Sequence, residues 1–331
     1  MENNELIRFE NVSIEYVLKN QSLKAVNNVT LNIKKGKITA FVGESGSGKT
    51  TLVNSLIQCI SSPGKVTGGH IYFFDGDSEI DILALDSKEI NQFRWEKISM
   101  VFQASQSTLN PLMTIYDQFY ETAYYHKAIK SKEDFENRVD ELIDIVKLDN
   151  RRVLKAYPHQ LSGGMKQRIM IVFALLLNPN LIILDEPTTA LDVITQEYIF
   201  NQLLEINQKL GVTMILLTHD IGAVAKIADY VAVMYAGSIM EYGDVFTIFK
   251  EKLHPYTQGL IDATPSLLVD AANIHPIPGR APDIRQLASG CPFADRCDKV
   301  HDKCLMNKPD FKLLKDDHYI SCYLFDKEAS K

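Results

Sequence analysis

The chain has 331 residues, 46% hydrophobic and 23% charged, with a net charge of −7 from 35 basic and 42 acidic side chains. These values suit a globular protein of two domains, or one large domain with an appendage, and the acidic balance argues against a general nucleic-acid binder, which carries a basic footprint. No apolar run approaches the ~18 residues of a membrane span, and the start Met1-Glu2-Asn3-Asn4-Glu5 lacks the apolar core of a signal peptide, so the expectation is a cytoplasmic chain that meets a membrane only through a partner.

In chain order, the first segment alternates. Ile7, Phe9, Val12, Ile14 and Tyr16 predict one strand, and Val29, Leu31 and Ile33 another. Lys34-Lys35-Gly36-Lys37 marks a turn. Residues 38–42 form a nearly continuous apolar run, which predicts a buried strand. A glycine-rich loop follows at once, and residues 51–60 predict a helix stopped by Ser61-Ser62-Pro63-Gly64. From about Trp95 to Tyr157 the chain is charged and aromatic with helical spacing, as in residues 134–148, and reads as a mostly helical insertion. Residues 181–184 and 212–217 predict two more buried strands, with a helix from about Thr195 to Leu210 between them. Strands alternating with helices imply a mainly parallel sheet. After about Glu251 the periodicity breaks down, and prolines recur at Pro255, Pro265, Pro276, Pro278, Pro282 and Pro292.

The loop Gly43-Glu44-Ser45-Gly46-Ser47-Gly48-Lys49-Thr50 fits the pattern G-x-x-x-x-G-K-[ST]. Glycines there let backbone N–H groups turn inward around phosphate oxygens. The helix that follows points its positive end at the same anion. Lys49 can reach the β- and γ-phosphates, and the Thr50 hydroxyl can ligate Mg2+. Downstream, the apolar strand Leu181-Ile182-Ile183-Leu184 ends in Asp185 and Glu186. Asp185 is placed to hold Mg2+ directly or through water, and Glu186 to polarise an attacking water.

Between loop and acids lies Leu161-Ser162-Gly163-Gly164-Met165-Lys166-Gln167-Arg168. Ser162 reads as an N-cap, an anion-facing terminus. This stretch resembles the signature of the ATP-binding cassette (ABC) family. The resemblance implies that this terminus faces the ATP held by an opposite subunit. It implies further roles by position. Gln103 matches the glutamine loop, which contacts Mg2+ or water and links the core to the helical insertion. Ala190-Leu191-Asp192 matches the loop that crosses the dimer interface. His219 matches the switch histidine at the γ-phosphate, and Tyr16 the aromatic that stacks on adenine. The implied nucleotide contacts are Tyr16, Gly43, Ser45, Gly46, Gly48, Lys49, Thr50, Thr51, Gln103 and Asp185, joined by Ser162, Gly163 and Gly164 from the second subunit. The implied catalytic set is Glu186, His219, Gln103 and Lys49.

Three further stretches look like the ATPases of dipeptide, oligopeptide and nickel importers: Phe102-Gln103 with Leu109-Asn110-Pro111, the run from Asp185 to Val193, and His254-Pro255-Tyr256-Thr257-Gln258-Gly259-Leu260. So does the tail Ile277-Pro278-Gly279 followed by Gly290-Cys291-Pro292-Phe293. Ala104-Ser105-Gln106-Ser107 departs from the usual stretch after the glutamine, and Phe173 stands where a small residue is common. The implied fold is α/β, a P-loop NTPase (ABC nucleotide-binding domain) with an antiparallel β subdomain, a helical subdomain and a C-terminal cysteine-containing extension. Residues 1–250 would be the nucleotide-binding domain, with its helical subdomain at about 95–175, and residues 251–331 the extension.

Four of the five cysteines, Cys291, Cys297, Cys304 and Cys322, fall in that extension with spacing C-x5-C-x6-C-x17-C. Four thiolates can hold a metal as soft ligands. Zinc sites favour tight C-x2–4-C pairs, which are missing, and iron–sulfur spacings vary, so spacing alone does not decide. The resemblance implies a 4Fe–4S cluster, either stapling the proline-rich tail or sensing redox state or iron supply. Cys59, on the helix after the loop, reads as a small core residue.

The reading that results is the ATPase subunit of an importer, with ATP and Mg2+ as ligands. It would pair with a second, related ATPase, dock on two transmembrane permease subunits at the cytoplasmic face of the membrane, and depend on an extracellular substrate-binding protein. Di- or oligopeptides come first as cargo, with nickel–chelator complexes and oligosaccharides as alternatives. A soluble cassette ATPase and a redox-sensing regulator are the rival classes.

Overall fold

The computed structural model describes residues 4–19, 21–103, 107–189, 191–264, 277–283, 285 and 289–326. Ala104, Ser105, Gln106, Ala190, Pro265 and Pro276, singled out above, lie outside the described residues. The chain divides into two units, Met1–Ala84 with Leu217–Lys331, and Leu85–Leu216.

The first unit opens with strands β1 (Glu5–Leu18) and β2 (Gln21–Lys34), paired antiparallel. The apolar alternation in β1 changes phase between Phe9 and Val12. The cause is a register shift there, with Asn11 in the left-handed region at φ 51°, which lets both halves of the strand bury the same face. A buried strand β3 (Ile38–Val42) leads through the glycine loop into helix α1 (Lys49–Asn54). Strands β4 (Gly64–Asp75) and β5 (Ser78–Asp81) complete a four-stranded antiparallel sheet in the order β2-β1-β4-β5. The helix expected over residues 51–60 is shorter: α1 passes into a 3-10 turn at Ser55–Ile57, and Gln58 turns left-handed at φ 47°. Cys59 therefore falls past the buried helical face and is exposed, contrary to its reading as a core residue.

The second unit runs α2 (Ser87–Glu96), β6 (Ile98–Val101), α3 (Ile115–Tyr125), α4 (Lys132–Ile145), α5 (Asn150–Val153), α6 (Gly163–Leu175), β7 (Leu181–Asp185), α7 (Val193–Leu210) and β8 (Thr213–Leu217), the last residue of β8 belonging to the first unit. Strand β6 sits inside the stretch expected to be helical. Helix starts here are written in the sequence: Asp86, Thr114, Ser131, Asp149, Ser162 and Asp192 each accept a backbone N–H one turn on. The strands lie in the order β8-β7-β6, with β6 and β7 parallel. Phe173 of α6 packs edge-on against Phe119 of α3, ring centroids 4.4 Å apart, and against Trp95 at 6.2 Å. An aromatic wedge thus fills the place where a smaller residue was expected.

The first unit resumes with α8 (Ile221–Ile227), β9 (Tyr230–Tyr235), β10 (Ser238–Asp244), α9 (Val245–Glu251), α10 (Pro255–Asp262), α11 (Asp302–Met306), β11 (Lys312–Lys315) and β12 (His318–Ile320). Its second sheet has the order β11-β12-β10-β9-β3, with β3 and β9 parallel and the rest antiparallel. The tail, which has no readable period, thus adds two strands to one side of the sheet, β12 against β10 and β11 at the edge. They are tied down by Glu241, fully buried on β10. Its carboxylate lies 2.8 Å from His318 Nε2 and accepts the backbone N–H groups of Leu253 and His254, each at 3.1 Å. Among the described residues no helix is long and apolar enough to cross a membrane.

Candidate functional site

The phosphate loop is built by backbone geometry. Gly43, Gly46 and Gly48 have φ of +144°, +78° and +98°, a region that L side chains avoid. At Gly43 a Cβ would also meet the Met234 carbonyl oxygen at 2.1 Å, and at Gly48 the Ala25 carbonyl oxygen at 2.3 Å. These two glycines are therefore required twice, by conformation and by space. The loop is pinned from inside by Lys49, whose Nζ donates to Gly43 O at 2.7 Å, Glu44 O at 3.0 Å and Ser47 Oγ at 3.1 Å. An ammonium held on loop carbonyls is an ammonium stationed where phosphate oxygens can replace those carbonyls as acceptors. Ser45, Gly46 and Thr50 are exposed. Tyr16, near the end of β1, places its hydroxyl 3.4 Å from Thr51 Oγ1, so the predicted adenine-stacking ring stands beside the loop's helix.

His219 follows β8. Thr218 N–H donates to Phe41 O of β3 at 3.4 Å, and Asp220 caps α8 through the Ala223 N–H at 3.0 Å. His219 is thereby fixed between a strand end and a helix start, with its residue exposed.

In the second unit the site residues are brought together by strand register. Val101 of β6 lies beside Leu184 of the parallel β7. Two residues further along the chain, just past the two strand ends, stand Gln103 and Glu186, and Gln103 Nε2 donates to Glu186 Oε2 at 2.9 Å. Thr189 Oγ1 donates to the same oxygen at 2.9 Å. Glu186 has φ 47°, a strained value for a non-glycine residue of the kind that clusters at functional sites. Asp185 ends β7 and is buried.

Ser162 caps α6 through the Met165 N–H at 3.3 Å and is exposed. A Cβ on Gly164 would come within 2.8 Å of Thr195 Cγ2, so that glycine lets α6 approach the start of α7. Arg168 holds the same helix: Nε donates to Gly164 O at 3.2 Å, Nη1 to Val146 O and Lys147 O at 3.3 Å, and the guanidinium lies over the Tyr198 ring. Asp192 accepts from Thr195 Oγ1 at 2.7 Å, and that bond, with the backbone N–H of Thr195, holds its carboxyl below the usual range. Glu44, Tyr256 and Arg296, absent from the site residues expected from the sequence, meet at the loop. Tyr256 lies in a quoted motif that carried no role, and Arg296 in the cysteine tail gave no signal.

A glycine loop with its lysine, an aromatic beside it, an acid pair after a buried strand and a capped glycine turn define the parts of a nucleotide-hydrolysing cassette. The ABC transporter profile matches residues 26–189, and that of the oligopeptide/dipeptide transporter C-terminal region matches residues 240–304. The chain belongs to the ABC transporter family and is an ATPase. It is 38% identical over 97% of its length to a dipeptide transport ATP-binding protein of Caldanaerobacter subterraneus, covering 98% of that protein. It is likewise 38% identical to the oligopeptide transport ATP-binding protein of Salmonella typhimurium, covering 97% of this chain and 94% of the relative. Among solved structures it resembles a dimeric post-hydrolysis ATP-binding cassette bound to ADP and Pi, with TM-score 0.62, 31% identity, and coverage of 72% of this chain and 99% of that one. It also resembles cbiO1 of Clostridium perfringens, part of an ABC transporter complex, with TM-score 0.64, 29% identity, and coverage of 76% and 92%.

The 4Fe–4S expectation, and zinc with it, is overturned. Among the described residues no group of three or more His, Cys, Asp or Glu side chains is arranged to hold a metal ion. The relatives are transport ATP-binding proteins by name, with nothing in those names to support a cluster. The spacing does gather Cys291, Cys297, Cys304 and Cys322 into one segment, and Cys291 N–H donates to Cys304 O at 2.7 Å. What the fold then does is bury Cys291, Cys304 and Cys322 as small apolar groups and leave Cys297 half-buried. Burial pushes Cys291 up to about 11 and Cys322 up to about 12, and raises Cys297.

Proposed function

We propose that this chain is the ATP-hydrolysing subunit of an importer of dipeptides or oligopeptides. The observation that carries the reading is its end-to-end similarity to a dipeptide transport ATP-binding protein, C-terminal region included. Residues 1–250 act as the cassette, with a helical subdomain at about 95–175, and residues 251–331 as a cysteine-containing extension. The cassette docks through permease subunits on the cytoplasmic face of the membrane, with a second cassette as partner and an extracellular binding protein delivering cargo.

In this reading residues 43–51 receive the phosphates, and Lys49 exchanges its loop carbonyls for the β- and γ-phosphate oxygens. Tyr16 stacks on adenine. The Thr50 hydroxyl, the Asp185 carboxylate and the Gln103 amide are hard oxygen donors of the kind Mg2+ takes. The ion supplies charge neutralisation for the phosphates. Glu186, oriented by Gln103 and Thr189, accepts a proton from the attacking water, and His219 hydrogen-bonds the γ-phosphate. Ser162, Gly163 and Gly164 of the second cassette close over the nucleotide from the other side. The exposed Ser162, and Val193 and Ile194 left 79% and 83% exposed beside Asp192, support a surface that a second cassette covers.

The test is ATP hydrolysis by the chain with the membrane proteins that co-purify with it, reconstituted in vesicles. Stimulation by a dipeptide or oligopeptide, lost in Lys49→Ala, is expected. Stimulation by a nickel chelate or an oligosaccharide alone would overturn the cargo assignment, and full hydrolysis by Lys49→Ala would overturn the site.

A further inference from the structure

The residue after Gly43 is held at three points. Glu44 C=O accepts from Lys49, as above. Its N–H donates to the Tyr256 hydroxyl at 2.9 Å. Its carboxylate takes both arms of Arg296, Nη1 to Oε2 at 2.7 Å and Nη2 to Oε1 at 3.0 Å. Two of these three anchors come from beyond residue 250.

Arg296 is built in rather than resting on the surface. Its side chain is only 7% exposed, against 28% for Glu44. Its remaining donors go to Pro278 O at 2.7 Å, Tyr235 Oη at 3.2 Å and Ile277 O at 3.4 Å. The guanidinium lies over the rings of Tyr235 and Phe293, and Tyr235, Tyr256 and Phe293 pack on one another with centroids 4.6–5.3 Å apart. Residues 281–283 of the tail and 44–47 of the loop line a shared depression of about 220 Å3. A bidentate, partly buried arginine–carboxylate pair fixes orientation as well as charge, which a lysine at the same place could not do.

We propose that Arg296 is a positioning residue for the phosphate loop, so that the C-terminal segment sets the affinity for ATP. The inference rests on reading residues 43–50 as the ATP cradle. When Lys49 leaves Gly43 O and Glu44 O for phosphate oxygens, the loop loses its internal pins. Arg296 and Tyr256 then keep Glu44, and the N–H groups that follow it, in the receiving conformation. Losing that anchor makes ATP binding bear the ordering of the loop. Chemistry at the γ-phosphate is left alone, because Arg296 touches none of the catalytic side chains.

The experiment measures Mg-ATP affinity of the full-length chain by displacement of a fluorescent ATP analogue, together with turnover at saturating ATP. Arg296→Met is expected to weaken affinity about tenfold with saturated turnover within about twofold of the parent, and Glu44→Gln to weaken affinity about threefold. The double variant should be no weaker than Arg296→Met alone, because both substitutions break one contact. Unchanged affinity in both single variants, losses that add in the double variant, or a loss confined to turnover would each overturn the proposal. Should Arg296→Met fail to fold, the more exposed Glu44→Gln decides by the same affinity measurement. A parent chain that binds no ATP would instead overturn the reading of the cradle itself.

Discussion

The phosphate loop of the first unit and the acid pair of the second reach a defined shape by different means. The loop is a matter of backbone: three glycines at positive φ, two of them with no room for a methyl group, and a lysine folded onto its own carbonyls. The acid side is a matter of register: parallel pairing of β6 with β7 carries Gln103 to Glu186 across 83 positions of sequence. The loop's glycines cannot be replaced without disturbing its conformation. A register-built pair can lose one chemical group and keep its shape. Binding and turnover should therefore separate when the two regions are perturbed in turn.

The largest effect is expected at the loop. Gly43→Ala puts a Cβ 2.1 Å from a carbonyl oxygen at a left-handed φ, costing about 2 kcal/mol or more of local strain. Displacement of a fluorescent ATP analogue should detect no binding. Glu186→Gln breaks the other side. It keeps an oxygen able to accept from Gln103 and Thr189 but loses the base, so turnover should fall roughly 10²–10⁴-fold with ATP affinity retained. A Glu186→Gln chain that cannot bind ATP would erase the distinction between the two regions.

A third prediction concerns the footing of the loop. His254 is fully buried next to Glu241, and burial lowers it to about 4. The unfolded imidazole titrates near 6.5, so as pH falls the unfolded chain takes up the proton first and the folded chain resists it. Stability is complete above about pH 6.5 and declines towards pH 4, by up to roughly 3 kcal/mol. Urea unfolding across that range should show the slope. His254 caps α10 by accepting the Tyr256 N–H on Nδ1 at 3.0 Å, and His254→Asn, which can still cap the helix, should flatten the slope. The smallest effect is expected at Tyr16. Tyr16→Ala should weaken ATP binding about tenfold through lost stacking. Tyr16→Phe, which forfeits only the long contact to Thr51, should bind as the parent does.

Reading the chain without its fold, the loop at residues 43–50, the acids at 185–186 and the turn at 162–164 stand out because each is a run of neighbours whose chemistry depends on local backbone. The strand alternation and the helix caps are legible for the same reason. The bulge at Asn11 is visible only as a change of phase, and the tail strands β11 and β12 not at all, being too short to show a period. Cys59 and the four tail cysteines were misread. Burial depends on where a helix ends, and coordination on how side chains converge, and residue spacing specifies neither. The ATPase motifs are legible from the chain alone, since short-range geometry makes them. The tertiary structure alone decided that Gln103 meets Glu186 and that Arg296, 252 residues from Glu44, grips the loop. Contacts at that separation are set by strand register and by the docking of the tail, which only the folded chain possesses.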